Sequence, residues 1–204
     1  MNNIFLQPAE VKMWAICLIS GGSRDENTSQ QMIWTQQLLK SSNIFTTAGG
    51  AILATLPGYV RKSVVVKHNG KNSGFCSVFA KISIPNGSFF YYEVTILHKH
   101  YDFGMHIGIA TKKMPLHSCV GCHEGSYAYD DNGKFLGSGA LLDGTSGRIG
   151  SLNYDDLFSA GTSSVNISAN ASSPALFPCV SLFWPGDKIV ANFGPVFKYP
   201  ERLL

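Results

Sequence analysis

The side chains best suited to chemistry in this sequence are concentrated in one heptapeptide, residues 117–123. It reads His-Ser-Cys-Val-Gly-Cys-His and so offers two thiols and two imidazoles. Cys119 and Cys122 followed by His123 match the attachment pattern of a c-type haem, and the same side chains are typical zinc ligands. A closed tetrahedral zinc site needs further ligands from another segment, and the chain has no second Cys-x-x-Cys pair. We therefore predict a metal-free loop with partly buried, reduced thiols, and we keep a metal or haem site on Cys119, Cys122 and His123 as an alternative.

Pairs of carboxylates are the next candidates for chemistry. Asp130-Asp131 and Asp155-Asp156 are direct neighbours in predicted turns, where carboxylates usually accept hydrogen bonds from the backbone. The chain contains no Gly-x-Ser-x-Gly, His-Glu-x-x-His or phosphate-binding glycine motif. Cys122 and His123 would make a poor catalytic dyad, because neighbours in an extended chain point to opposite sides. We expect no enzymatic activity and no cofactor.

Composition limits the class of protein that could position these groups. Of 204 residues, 45% are hydrophobic, 14% are charged and 21 are glycines, which favours one all-β domain of short strands and tight turns. The net charge of +3 comes from scattered basic residues, so we expect no nucleic-acid partner. The apolar run at residues 11–20 is too short to span a bilayer, so we expect no membrane contact. Five cysteines, an odd number, indicate a reducing compartment, which is the cytoplasm or the nucleus.

Apolar and polar residues alternate at period two in several segments, which predicts strands. Residues 63–67 and 75–83 lie on either side of Asn69-Gly70, a strong signal for a β-hairpin. Residues 90–97 and 104–111 predict two further strands.

The first 60 residues lack sustained alternation and are predicted to form an irregular or partly helical N-terminal extension to a domain at 61–204. Residues 28–40 predict a short helix within it. Residues 48–56 suit either a packing strand or a buried linker.

An ordered series of motifs resembles the SPRY (B30.2) domain family. The motifs are Phe90-Tyr-Tyr-Glu-Val94, Gly108-Ile-Ala-Thr111, Ser126-Tyr-Ala-Tyr129, Gly147-Arg-Ile-Gly150, Leu176-Phe-Pro178 and Phe183-Trp-Pro-Gly186. Met114-Pro-Leu-His-Ser118 is most similar to the SOCS-box-associated subgroup, although we expect no SOCS box after Leu204. The resemblance implies an antiparallel β-sandwich of concanavalin-like type. Residues 157–175 depart from the family, because the usual Phe-x-x-Asn-Gly hairpin is replaced by small polar residues.

The resemblance also implies a function, which is to bind a short peptide segment of a partner protein, as a substrate receptor of a ubiquitin ligase or a scaffold in signalling. Trp184 matches the turn tryptophan of the family's peptide site. Cys122 replaces the subgroup's pocket tyrosine, and His68, Asn69 and Gly70 replace its arginine and proline. The site residues implied are Trp184, Cys122, His123, Tyr101, Asn69 and Gly70. A lectin-like sugar-binding sandwich is a further alternative.

Two questions about individual side chains stay open at this point. Trp184 is either an exposed anchor for the peptide or part of the core, because Leu182 and Phe183 precede it. Tyr127 and Tyr129 share one side of a strand, and we expect that side to face the core.

Residues 98–102 form either a solvated loop or a contact surface. We expect the protein to be a monomer.

Overall fold

The computed structural model describes residues 13–18, 45–47, 51–55, 63–84, 90–132, 135–137, 150–151 and 174–198. This part of the chain contains twelve strands and no helix. The strands are β1 (Met13–Leu18), β2 (Phe45–Thr47), β3 (Ala51–Thr55), β4 (Ser63–His68), β5 (Cys76–Ala80), β6 (Phe90–His98), β7 (Met105–Thr111), β8 (Ser126–Asp130), β9 (Phe135–Gly137), β10 (Gly150–Ser151), β11 (Leu176–Leu182) and β12 (Lys188–Asn192).

The strands form two antiparallel sheets of six. The order in the first sheet is β10-β1-β6-β12-β4-β3, and the order in the second is β2-β5-β11-β7-β8-β9. Strands far apart in sequence are therefore neighbours in space, as when β6 pairs with both β1 and β12. The all-β prediction is confirmed.

The main core lies between the two sheets. Alternate residues of β6 and β7 point into it, because period two places every second side chain on one face. Tyr92 and Val94 of β6 and Ile107 and Ile109 of β7 belong to this one cluster and are at most 1% exposed. Because both sheets contribute to the same apolar layer, the architecture is a β-sandwich.

A second, smaller apolar layer covers the outer face of the second sheet. The β7–β8 connection, residues 112–125, places Met114 and Val120 on Phe79, Ala110 and other residues of that face. Hydrogen bonds of two buried serines, Ser77 and Ser181, attach this connection to the sheet. The hydroxyl of Ser181 accepts a hydrogen bond from Val120 N at 2.8 Å and lies 2.6 Å from the hydroxyl of Ser77, which donates to Ser118 O.

The predicted hairpin at Asn69-Gly70 is wrong. β4 pairs with β3 and β12 in the first sheet, while β5 pairs with β2 and β11 in the second. The Asn-Gly signal reports a local turn, but the residues on each side find partners elsewhere in the chain. The connection therefore crosses from one sheet to the other.

The N-terminal residues contribute two strands that the sequence pattern did not reveal, β1 and β2, and a third, β3, that it gave as one of two readings. β1 pairs with β6, β2 with β5 and β3 with β4. Of the two readings of residues 48–56, the strand is observed in the described part, residues 51–55. The limit of the domain at residue 61 stays a prediction. The helix predicted at 28–40 lies outside the described residues, and so do residues 157–173 of the degenerate segment at 157–175.

No helix in the described ranges has the length and apolar character needed to cross a membrane.

Candidate functional site

Four aromatic side chains meet on two neighbouring connections at one end of the sandwich. Tyr101 and Phe103 belong to the β6–β7 loop, and Phe183 and Trp184 belong to the β11–β12 turn. The Trp184 ring lies 4.3 Å from Tyr101, 4.8 Å from Phe183 and 5.5 Å from Phe103, measured between ring centroids. Tyr101 and Phe103 are 50% and 55% exposed. We call these four residues the aromatic surface.

Trp184 is half-buried and stands outside both core clusters. Its indole Nε1–H donates a hydrogen bond to Phe103 O at 3.0 Å. The ring is therefore fixed between the two connections while part of it remains open to solvent. Of the two readings of Trp184, this placement fits a presented side chain better than a core residue.

Asp187 determines the shape of the turn that carries Trp184. Its side chain is fully buried, and the carboxylate accepts hydrogen bonds from His100 N at 2.9 Å and from Trp184 N at 3.2 Å. Burial raises the pKa of Asp187, and the two backbone hydrogen bonds oppose that rise. One carboxylate thus holds the backbones of both connections together.

Gly104 lets the two connections approach closely. Its φ is +115°, in the region that favours glycine. A Cβ atom at this position would lie 2.8 Å from Phe183 Cβ and 3.1 Å from Trp184 Cδ1. The absence of a side chain at residue 104 is therefore what allows the loop backbone to lie against both rings.

The β4–β5 connection, which holds the predicted site residues Asn69 and Gly70, lies beside the same turn. Gly186 N donates to His68 O at 2.9 Å, and Gly74 N donates to Phe183 O at 2.9 Å. The buried His68 ring accepts from Gly70 N through Nδ1, so Nε2 carries the proton that it donates to Gly74 O. Asn69 is exposed and Gly70 is half-buried. These contacts bring Asn69 and Gly70 to the turn that contains Trp184.

Cys122 and His123 lie further away. Phe75 packs edge-on against Phe183 at 4.9 Å and against His106 at 5.0 Å, and His106 adjoins Cys119 and Cys122. Among the described residues, His106 and Phe75 lie between Cys122 and the aromatic surface. Among the described contacts, His123 binds Glu124 and Ser126 and makes no ring contact with Trp184.

The prediction of reduced thiols at Cys119 and Cys122 is wrong for this structure, in which they form a disulfide. The cause is local, because the turn at residues 119–122 brings the two Cα atoms to 5.5 Å, within the usual range for a disulfide. Cys76 and Cys179 are free thiols, and burial raises the pKa of both.

The other candidate groups have structural contacts. Tyr127 and Tyr129 are in the main core, which confirms the inward orientation. Asp130 accepts a hydrogen bond from Asn132 N, as expected for a turn carboxylate. Asp131 is buried beside Lys99, whose Nζ lies 2.9 Å from its Oδ2. Asp155 and Asp156 lie outside the described residues.

Sequence reasoning missed four residues of this region: Phe103, Phe183, Asp187 and His106. Two of them are direct neighbours of glycines, since Phe103 precedes Gly104 and Asp187 follows Gly186, and Phe183 comes two residues before Pro185. Their closeness to turn residues is the signal that could have identified them. His106 gave none, because its relation to the cysteine pair exists only in the folded chain.

The chain matches no family model. Two curated relatives, Ran-binding protein 9 of Xenopus laevis and of Xenopus tropicalis, are each 30% identical over 141 residues, or 63% of this chain. The chain spans only 26% of the length of these relatives.

Among solved structures, a human SPRY domain aligns with a TM-score of 0.51 at 17% identity, covering 74% of this chain and all of that domain. The SPRY domain of human HERC1 aligns over the same share of this chain and all of that domain, with a TM-score of 0.46 and 11% identity. At such identities a structural likeness bears on the fold alone.

Proposed function

We propose that this chain, which has the β-sandwich fold of a SPRY domain, is a protein-interaction module that binds a short extended segment of a partner protein at the aromatic surface. The proposed ligand places an apolar side chain against the rings of Tyr101, Phe103 and Trp184. The loop with Asn69 and Gly70 offers polar groups at the edge of the same region.

The observation that carries this proposal is the exposure of large rings on a rigid frame. Of the four exposed large apolar side chains in the described chain, Leu97, Tyr101 and Phe103 lie within seven residues of each other. Aromatic side chains such as Tyr and Trp often dominate the binding energy of protein interfaces. Asp187 and the Trp184 indole fix the surface in advance, so little conformational entropy is lost on binding.

The ligand we propose differs from that of the SOCS-box-associated subgroup, whose motif is acidic with two asparagines. The subgroup's arginine and proline are replaced here by His68, Asn69 and Gly70, and the His68 ring is buried and bonded within its own loop. No arginine is therefore available at these positions to bind an acidic residue. A role as substrate receptor or scaffold is part of the same proposal and depends on the partner.

The test starts from selection of a library of linear peptides, displayed on phage, on the immobilised protein. We expect the selected peptides to lose affinity by at least about tenfold on Trp184→Ala and on Tyr101→Ala, since ring anchors often contribute about 2–4 kcal/mol. Val196→Ala is the matched control, because Val196 is an exposed apolar residue outside the aromatic surface. Affinity is measured by titration calorimetry.

Thermal unfolding of each variant separates binding from stability. We expect the melting temperature of Trp184→Ala to move little, because Trp184 is outside both core clusters. Selected peptides that bind folded Trp184→Ala as tightly as the wild type would contradict the proposed site.

A further inference from the structure

The disulfide between Cys119 and Cys122 has a third potential ligand beside it. A ring nitrogen of His106 and the two sulfur atoms all lie within 4.8 Å of one another. His106 comes from β7, whereas the cysteines belong to the β7–β8 connection. The sequence pattern pointed to His123 as the histidine of this cluster, but the fold supplies His106 instead. Two segments of chain thus meet, as a zinc site requires.

A hydrogen bond to the backbone fixes the His106 ring beside the two cysteines. Its Nδ1 lies 3.0 Å from Val120 O, and because a carbonyl only accepts, Nδ1 must carry the proton. The lone pair of the neutral ring is therefore on Nε2. A backbone carbonyl that binds the other nitrogen is the usual means by which a metal-binding histidine is fixed.

Distances fit a tetrahedral ion once the disulfide is opened. With Zn–S near 2.3 Å and Zn–N near 2.0 Å, ligand atoms around zinc are about 3.3–3.8 Å apart. The sulfurs would have to separate after reduction, and the imidazole, whose ring nitrogen lies within 4.8 Å of both, would have to adjust to these distances. Cys119 is 8% exposed, whereas Cys122 is exposed, so one side of the cluster is open to solvent for a fourth ligand.

We propose that the reduced protein binds one Zn²⁺ ion through Cys119, Cys122 and His106, and that the disulfide and the ion exclude each other. A dithiol reductant opens the bond, becoming a disulfide itself and leaving two protein thiols. Zn²⁺ then displaces the two thiol protons to solvent and accepts the His106 lone pair. The protein is metal-free when oxidised and zinc-bound when reduced.

The experiment uses the full chain and Co²⁺ as a spectroscopic probe, with Zn²⁺ as competitor. A phosphine reductant opens the disulfide with one water molecule, giving two thiols and the phosphine oxide, and it is removed before titration. We expect a thiolate-to-cobalt charge-transfer band at one equivalent of Co²⁺, bleached by one equivalent of Zn²⁺. Untreated, oxidised protein should give no band.

Variants assign the ligands. Cys122→Ser, at an exposed position, should abolish the band, and His106→Ala should weaken Zn²⁺ binding by at least about tenfold. Cys76→Ser is the matched control, since Cys76 is a free thiol outside the cluster. Circular dichroism verifies that each variant is folded. Alkylation of the reduced wild-type protein is a second way to block the cysteine ligands, and it needs no substitution. A reduced protein with no band, or a band unchanged in folded Cys122→Ser and His106→Ala, would overturn the proposal.

Discussion

The carboxylate of Asp187 holds the backbones of two connections at once. It is fully buried, and its two oxygens accept from His100 N and Trp184 N. Burial raises the pKa of this carboxyl group because it removes water from the charged form, and the two backbone hydrogen bonds together with His68 and His100 oppose the rise. The backbones that carry the aromatic surface are therefore joined by one buried titratable side chain.

Asp187→Asn tests this dependence on pH. Because the folded-state pKa lies above the ordinary value of 3.8, the folded protein binds this proton more tightly than the unfolded chain. The stabilising contribution of Asp187 is thus complete below pH 3.8 and falls as pH rises through its folded pKa. We therefore expect the difference in the free energy of unfolding between the wild type and Asp187→Asn to decrease as the pH rises from 3.8 through the folded-state pKa. Urea titrations at a series of pH values measure this difference.

Asp102→Asn is the control for that series, because the Asp102 side chain is fully exposed. Its difference from the wild type should be small at every pH. An Asp187→Asn difference that stayed constant or grew with pH would show that the raised pKa is incorrect.

At the scale of elements, the β7–β8 connection acts as a cover on the outer face of the second sheet. Ser181 links β11 to this cover, since its hydroxyl accepts from the buried Val120 N and lies beside the hydroxyl of Ser77. The same cover carries Cys119, Cys122 and the carbonyl that orients His106. Its attachment to the sheet therefore also positions the zinc site that we propose.

Ser181→Ala should lower the free energy of unfolding by about 1–3 kcal/mol, because a buried backbone N–H loses its acceptor. Ser118→Ala is the control, since Ser118 contributes its backbone carbonyl to this network. Denaturant titration measures both. Equal stability of the two variants would contradict the assigned network.

A second prediction at this scale concerns residues 158–173, which lack the apolar alternation of a core strand. We expect their amides to exchange with solvent far faster than those of β6, which is bonded on both sides by β1 and β12. Hydrogen exchange read by mass spectrometry compares the two segments. Equal protection would mean that 158–173 forms core strands.

Much of the fold was predictable because its signals are local. Alternation in residues 90–97 and 104–111 gave the strands β6 and β7, and Tyr127 and Tyr129 were placed correctly. The Asn69-Gly70 hairpin failed because pairing between strands is decided by partners more than 120 residues away, such as β12 for β4. The Trp184 turn could be anticipated, but its contacts with Tyr101 and Phe103 depend on the juxtaposition of two loops.

At the scale of the whole molecule, most large apolar side chains of the described chain are buried. They lie in the main core between the sheets or under the β7–β8 connection. In the described chain only four large apolar residues are exposed, and three of these lie within residues 97–103. A stable dimer usually buries about 800 Å² on each partner. Such an interface takes about 20–30 residues from each partner. The aromatic surface consists of four residues, two of them half-buried, and suits a peptide better than a second copy of the chain.

We therefore expect a monomer of 22.1 kDa by light scattering coupled to size-exclusion chromatography. Tyr101→Ser should also be a monomer in this measurement, because the exposed Tyr101 ring of a monomer contacts no second copy of the chain. A dimer that dissociates on this substitution would identify the aromatic surface as a contact between copies.

Gly104 has a consequence for how this surface can diversify over evolutionary time. Any side chain at position 104 would contact Phe183 and Trp184. A substitution of Gly104 therefore requires a compensating change in the β11–β12 turn. Exchange of the half-exposed Tyr101 or Phe103 alters the rings offered to a ligand without moving either backbone. We expect a lineage that acquires a new ligand to change these two rings first and to retain the glycine.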